Sequence, residues 1–326
     1  MAVFRSFVVA ALFAAASWSA GAAEAPGTIT ILEGEAQIFR GVSRYVAAEG
    51  VRLQFGDIVE TGDNAFIQIE LSDQSTLQLG GISRAMINGG GNKSKPERWI
   101  YFMNGWGKFS GARRDPKADA PYDLRAPLFE VPPTPGIVVF QATPSDVRLF
   151  VERGEAKLAE RQRGSAPGNL TLKLGDTYSR KASGRGTVVQ DPSPEFLAKV
   201  PRNFRDTLPS RMERFRDQEV KPKEAPDFGY ADVELWLKAE PYIRRPFVQR
   251  WKAKAFKDPV FKQAIVANMS SHPEWDPILF PEKYLPKEPP PAPPPAPAAT
   301  QTSQANPAPS TAPATTTPTT NPSPTK

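Results

Sequence analysis

Cysteine is absent from the 326 residues and histidine occurs once, at His272. No disulfide, thiolate nucleophile, cysteine-linked lipid or cysteine-held zinc can therefore exist. A single histidine also excludes histidine-rich metal sites and paired-histidine acid–base chemistry. Beyond the first two dozen residues no run of 18 apolar residues occurs, so the mature chain is not expected to span a membrane with a helix. Stability must come from burial alone.

The opening residues have the pattern of an export leader. Arg5 supplies a positive start, Phe7 to Ala16 form an apolar run too short for a bilayer, and Ala20-Gly21-Ala22 is an Ala-x-Ala cleavage pattern. Residues 1–22 are read as a signal peptide, and the rest as a periplasmic or secreted protein. The net charge of +6 is mild for this length. Export turns the basic balance away from nucleic acid and toward polyanionic envelope sugars or anionic surfaces.

From Thr28 to about Gln190 apolar residues alternate with period two between Gly, Asp and Asn turns, which predicts short strands. Ile67, Ile69 and Leu71 share one face, and Ser75 to Leu79 repeats the alternation after a turn, so the two runs read as a hairpin. A motif also recurs. Gly34-Glu35-Ala36 precedes Gly56-Asp57, and Gly154-Glu155-Ala156 precedes Gly175-Asp176 at nearly the same spacing. One β unit used twice explains this, as does the commonness of Gly-Asp turns. The stretch from Arg113 to Pro135 is a proline-rich excursion between β units.

After Asp191 the period becomes helical. Ser193-Pro194 marks one helix start, Asp232 caps a second, and Asp258-Pro259 opens another. Ile243, Phe247, Trp251 and Ala255 make an apolar stripe that Pro246 must kink or start late. Trp275, Ile278, Leu279, Phe280 and Tyr284 follow the last helix in a proline-rich segment expected to pack back on the fold. Residues 286–326 lack every apolar side chain larger than alanine, and 14 of those 41 residues are proline, so a disordered tail is expected.

The fold class is thus mainly β, a sandwich-like or rolled β module with an internal repeat, then a small α-helical region and a disordered tail. The organisation is a β module at 28–110, a second β unit with a long loop at 111–190, a helical region at 191–285 and the tail.

The first β unit resembles the FecR domain family. The likeness rests on Gly34-Glu35-Ala36, on Phe55-Gly56-Asp57-Ile58-Val59-Glu60-Thr61-Gly62, and on Ile67 through Gly80 with its Ser72-Asp73-Gln74-Ser75 turn. Gln74 stands where that family usually has glycine, so a different turn type is possible there. The resemblance implies an extracytoplasmic β module that binds partners without catalysis. In the regulators that name the family, the module relays receptor status across the inner membrane to a sigma factor; here the cleavable leader replaces the membrane helix such a relay needs.

Chemistry-bearing residues are few. His272, before Pro273, is read as a protonated cap on a helix C-terminus. Asp57 and Asp176 follow glycine in equivalent turns, where backbone hydrogen bonding accounts for them. The densest aromatic run holds Trp99, Tyr101, Phe102, Trp106 and Phe109, close to Arg113 and Arg114. Trp99, Tyr101, Trp106, Arg113 and Arg114 form the candidate ligand surface, with rings to stack on sugars and guanidiniums to receive carboxylates or phosphates. Neither a cofactor nor a metal is expected. The expected function is a non-enzymatic binding or scaffold protein of the bacterial envelope, with an envelope polysaccharide or protein as partner. Its alternatives are a polysaccharide-acting enzyme using carboxylates and a periplasmic sensor touching an outer-membrane receptor.

N-terminal sequencing of the extracytoplasmic protein is expected to begin at Ala23 or Glu24. Recovery of the chain with Met1 intact from the cytosol would rule out cleavage.

Overall fold

The computed structural model describes residues 25–92, 95–112, 119–161 and 168–285. The leader at 1–22, Arg113 and Arg114, and the tail at 286–326 lie outside the described residues.

The strands, in chain order, are β1 (Gly27–Glu33), β2 (Ala36–Arg40), β3 (Ser43–Val46), β4 (Ile58–Thr61), β5 (Phe66–Leu71), β6 (Thr76–Leu79), β7 (Arg84–Asn92), β8 (Lys95–Ser110) and β9 (Tyr122–Arg125). There follow β10 (Phe129–Val131), β11 (Ile137–Ala142), β12 (Asp146–Arg153), β13 (Glu155–Glu160), β14 (Asn169–Lys173), β15 (Asp176–Lys181), β16 (Thr187–Gln190) and β17 (Lys223–Glu224). The helices are α1 (Pro194–Lys199), α2 (Tyr230–Leu237), α3 (Pro241–Lys257), α4 (Pro259–Ala267) and α5 (Asp276–Leu279).

The strands form two sheets that share β8. Sheet A runs β1-β5-β6-β8-β11-β12-β15-β16. Sheet B runs β17-β3-β2-β4-β7-β8-β9-β10-β13-β14, with β8 and β9 parallel and all other pairs antiparallel. The crossover occurs at Gly105, whose φ of +106° is a backbone shape that glycine adopts without strain. A Cβ there would sit 2.3 Å from Ser83 Oγ. Residues before it pair with β7 and β9; residues after it pair with β6 and β11.

Between the sheets lies one apolar interior holding Ile29, Ile69, Leu77, Ile100, Phe102, Phe109, Phe140, Leu149 and Tyr178. Residues 28–110 and 111–190, read as two β units, supply this interior together. The expected hairpin is present, with Ile67 opposite Leu79 and Ile69 opposite Leu77. Its turn keeps the left-handed backbone at the glycine position of the family, since Gln74 has φ of +72°. A side chain held there costs on the order of 1–2 kcal/mol. Asp73 anchors the turn by accepting from Ser75 N (2.9 Å) and from Tyr122 N (3.2 Å) at the start of β9.

The recurring motif is real at the level of local geometry. Gly34 and Gly154 share φ of +74°, and Gly56 and Gly175 share +88°. Asp57 accepts from Gln54 N and Asp176 from Lys173 N, at 2.8 and 2.7 Å. The routes then part: β4 pairs with β2 in sheet B, whereas β15 pairs with β12 in sheet A.

Both outer faces of the sandwich carry apolar side chains, and the C-terminal region covers them. On sheet A, Ile31, Phe66, Val139 and the half-buried Trp106 meet Phe196, Val200 and Phe204 from α1 and the turn after it. On sheet B, Phe39, Ile58, Met86, Tyr101 and Met103 meet α2 to α5 through Trp236, Ile243, Phe247, Trp251, Phe261, Ile265 and Trp275. Trp236 Nε1 donates to Glu60 and Trp251 Nε1 to the Gly41 carbonyl, at 3.0 and 3.1 Å.

The helix starts follow the sequence with one shift. Ser193 and Asp258 cap α1 and α4 as expected. Asp232 sits inside the first turn of α2, reaching back to Gly229 N, because the helix begins earlier at Tyr230. Pro246 lies within α3, which starts at Pro241, and Ile243, Phe247, Trp251 and Ala255 are all buried. The segment after α4 packs back through Trp275 and Leu279, while Tyr284 is exposed. Among the described residues no helix is long and apolar enough to cross a membrane.

Removing Trp275 and Leu279 should open the helical layer, with a cost of about 3–5 kcal/mol for the tryptophan alone. A chain ending at Ser270 is expected to melt well below one ending at Leu285, and the latter to melt with the full chain. Equal melting temperatures for all three would show that the segment contributes nothing.

Candidate functional site

The aromatic run on β8 does not form one surface, because β8 changes sheets in its midst. Alternation places Trp99, Tyr101 and Met103 on the outer face of sheet B and turns Ile100 and Phe102 inward. Past Gly105, Trp106 lies on the outer face of sheet A, its ring 5.4 Å from Phe196. Phe109 enters the interior. Trp106 thus belongs to a different face from Trp99, which corrects its place in the expected ligand surface. Tyr101 is fully buried beneath the helical layer and presents no ring to solvent. Arg113 and Arg114 are outside the described residues.

Around Trp99 the structure assembles groups that are far apart in sequence. The parallel register of β8 and β9 sets Arg125 opposite Tyr101, and Arg125 lies 5.4 Å over the Trp99 ring. Arg125 is held by Asp123 at 2.8 Å and faces Glu130 at 3.6 Å. Tyr242, on the first turn of α3, brings its ring to 6.5 Å from Trp99 and is 38% exposed. Arg161, just past β13, stacks 4.7 Å from the Tyr242 ring and bonds its hydroxyl.

Glu240 locks this arrangement. It immediately precedes α3, and its carboxylate accepts from Tyr101 Oη at 2.6 Å and from Arg161 at 2.7 Å. Burial, followed by the Glu240 charge, pushes the Tyr101 hydroxyl far above its ordinary range, so it stays a donor. The same two causes raise Tyr242 to about 12. A buried tyrosine and a helix start therefore fix a half-buried indole, an exposed phenol and two guanidiniums on the outer face of sheet B. Aromatic rings beside guanidiniums have the chemistry suited to a sugar ring that carries an anionic substituent.

The sequence missed Arg125, Arg161, Tyr242 and Glu240. Tyr242 beside a proline helix start was a weak signal; nothing local marked the arginines, because only strand pairing brings them to Trp99.

The carboxylates Asp57, Glu60 and Glu70 are occupied internally. Asp57 is buried against Arg40 at 2.6 Å, Glu60 takes Arg84 at 3.1 Å and Trp236, and Glu70 takes Ser210 and the Arg211 N–H. Among the described residues no group of three or more His, Asp or Glu is placed to hold a metal. Two cavities border the covering segment of sheet A. One of about 550 Å³ is lined by Val139, Phe150, Leu197 and Phe204; another of about 630 Å³ has Arg52, Glu70, Ser210 and Arg216 among its walls.

His272 differs from its expected role as a charged cap. It is buried, with Nε2 3.0 Å from Tyr230 Oη and Nδ1 without a hydrogen-bond partner among the described residues. Burial lowers its pKa, and the nearby Arg244 and Lys238 charges add to this, against Glu274.

No family model matches this sequence, and no curated protein matches it. Two solved structures are similar to part of it, both titled as a "putative anti-sigma factor from Parabacteroides distasonis ATCC 8503", at 2.50 and 1.65 Å resolution. Each is 12% identical with a TM-score of 0.35, over 43% of this chain and 62% or 63% of the other. The chain thus spans less than two thirds of their length. The FecR likeness rests on the motifs between residues 34 and 80.

The neutral imidazole sets a pH dependence with a definite sign. The unfolded histidine, with a pKa near 6.5, takes up a proton that the folded one resists, so stability is full above about pH 6.5 and falls as the pH drops. Denaturant midpoints at pH 7.5 and pH 5.5 are expected to differ more for the natural chain than for His272→Gln. Equal differences would mean that His272 takes its proton in the fold.

Proposed function

We propose that this protein is an exported, non-catalytic binding module of the bacterial envelope, and that its partner is an anionic polysaccharide held at the Trp99–Tyr242 surface. The observation that carries this reading is the pairing of the half-buried Trp99 ring and the exposed Tyr242 ring with Arg125 and Arg161 on the outer face of sheet B. Stacking on a sugar needs flat apolar faces that keep their orientation when empty, and the Glu240 hydrogen bonds supply that rigidity. The guanidiniums add planar donors suited to a carboxylate or phosphate.

A binding rather than catalytic role is supported by the state of the acidic groups. Asp57, Glu60, Glu70 and Glu240 are engaged by internal cations and donors, so each already serves the fold. The leader pattern at residues 1–22 supports export, which would bring the surface to envelope sugars.

A hexuronate oligosaccharide titrated into the full chain is expected to bind, and more tightly than its neutral hexose counterpart. Trp99→Ala with Tyr242→Ala should weaken binding about tenfold or more, since each stacked ring contributes roughly 0.5–1.5 kcal/mol beyond its buried area. Trp106→Ala, on the opposite face, should leave binding unchanged. Equal affinity for neutral and charged sugars, or loss of binding only in the Trp106 variant, would reject this surface.

A further inference from the structure

Four strand edges bound the two sheets, and three are protected. On β1, residues 50–53 close the edge through Ile29 N to Val51 O and Leu53 N to Gly27 O. On β3, β17 pairs with Tyr45 and Val46. The edge strand β14 ends on Lys173, a charge that discourages strand addition. The fourth edge, β16, has none of these devices. Its sequence Thr-Val-Val-Gln is uncharged, free of proline and exposed throughout, and among the described residues it pairs only with β15. Val188 and Val189 are 43% and 55% exposed. An uncharged, proline-free edge leaves its backbone groups open to pair with another strand.

The phase of the ladder decides which backbone groups are available. Asp191 N donates to Gly175 O across the start of β15. Hydrogen-bonded and non-bonded pairs alternate along antiparallel strands, so Thr187 and Val189 turn their N–H and C=O groups to β15. Those of Val188 and Gln190 turn outward.

From this edge we infer that the protein forms a two-fold dimer by antiparallel pairing of β16 with β16 of a second copy. A two-fold axis between antiparallel edges runs perpendicular to the sheet and keeps its faces aligned, so partners must share parity. The register centred on Val188 meets that condition and uses the outward groups: Val188 pairs with its own counterpart, and Gly186 pairs with Gln190 of the second copy. It also brings Arg185, just before β16, level with Asp191 of the second copy, which follows that strand in left-handed backbone (φ of +61°), twice by symmetry. Both residues are exposed, and neither has an ion pair within its own chain among the described residues. Opposite charges at both ends of an uncharged strand are what singles out a second copy as the occupant. Sheet A then continues across the axis as sixteen strands, twice the eight of one copy.

Sedimentation velocity on the full chain over a concentration series, at low and moderate salt, tests this. A concentration-dependent dimer is expected. Val188→Lys places two ammonium groups together on the axis and should give monomer with an unchanged melting temperature. Val188→Pro removes an N–H that does not face β15, and should likewise give a folded monomer. Arg185→Asp should weaken the dimer, and Arg185→Asp with Asp191→Arg should restore it. A monomer at every concentration, or a dimer insensitive to Val188→Lys, overturns the inference. These readouts do not involve sugar, so they stand apart from the binding test at Trp99 and Tyr242.

Discussion

Gly105 lets one strand serve two sheets, and the rest of the architecture follows from that crossover. The positive φ and the close approach of Ser83 leave no room for a side chain. On either side of it β8 keeps its hydrogen bonds but changes partners, from β7 and β9 to β6 and β11. The two β units are thereby joined through a continuous strand rather than a linker. Their shared interior, from Ile29 to Tyr178, is one core and not two.

The crossover has a cost that the C-terminal region offsets. Because β8 carries large side chains on both its sides, each sheet acquires an apolar outer face as well as an inner one. Sheets buried on both faces need a covering layer. On sheet B that layer is α2 to α5, pinned by Trp236 to Glu60 and by Trp251 to Gly41. On sheet A it is α1 and the turn after it. The carbonyl of Phe204 in that turn accepts from Lys108, an otherwise buried ammonium that also pairs with Glu152. The helical region supplies the outer layer on both sheets, which explains its density of large rings.

The same layering accounts for what could and could not be seen at the candidate site. Trp99 and Tyr101 were visible as rings two residues apart, and their common face follows from strand alternation. That Tyr101 is covered depends on α3, more than a hundred residues away, laying Glu240 against its hydroxyl. Arg125 reaches Trp99 only through the parallel β8–β9 pairing, and Arg161 reaches Tyr242 only because β13 ends beside the helix. Sequence spacing of 79 residues between Arg161 and Glu240 carries no sign of a bond. His272 is a parallel case: its place before a proline suggested a charged cap, and burial against Tyr230 decided that it is neutral.

By itself the sequence determined the local shapes. Alternating Ile67, Ile69 and Leu71, the glycines at positive φ in both Gly-Glu-Ala and Gly-Asp motifs, the Ser193 and Asp258 caps and the Ile243 to Ala255 stripe are all set by residues within a few positions of one another. Periodicity, capping and turn chemistry act over that range, so they are legible. The tertiary structure alone decided which sheet each strand joined, which face each ring took and which charges met. The two Gly-Asp turns make the distinction plain: with the same φ and the same aspartate bond, one strand enters sheet B and the other returns to sheet A. At equivalent positions Val59 in β4 and Tyr178 in β15 both fill the interior, so nothing within the motif sets the sheet; the partner strands β2 and β12 do.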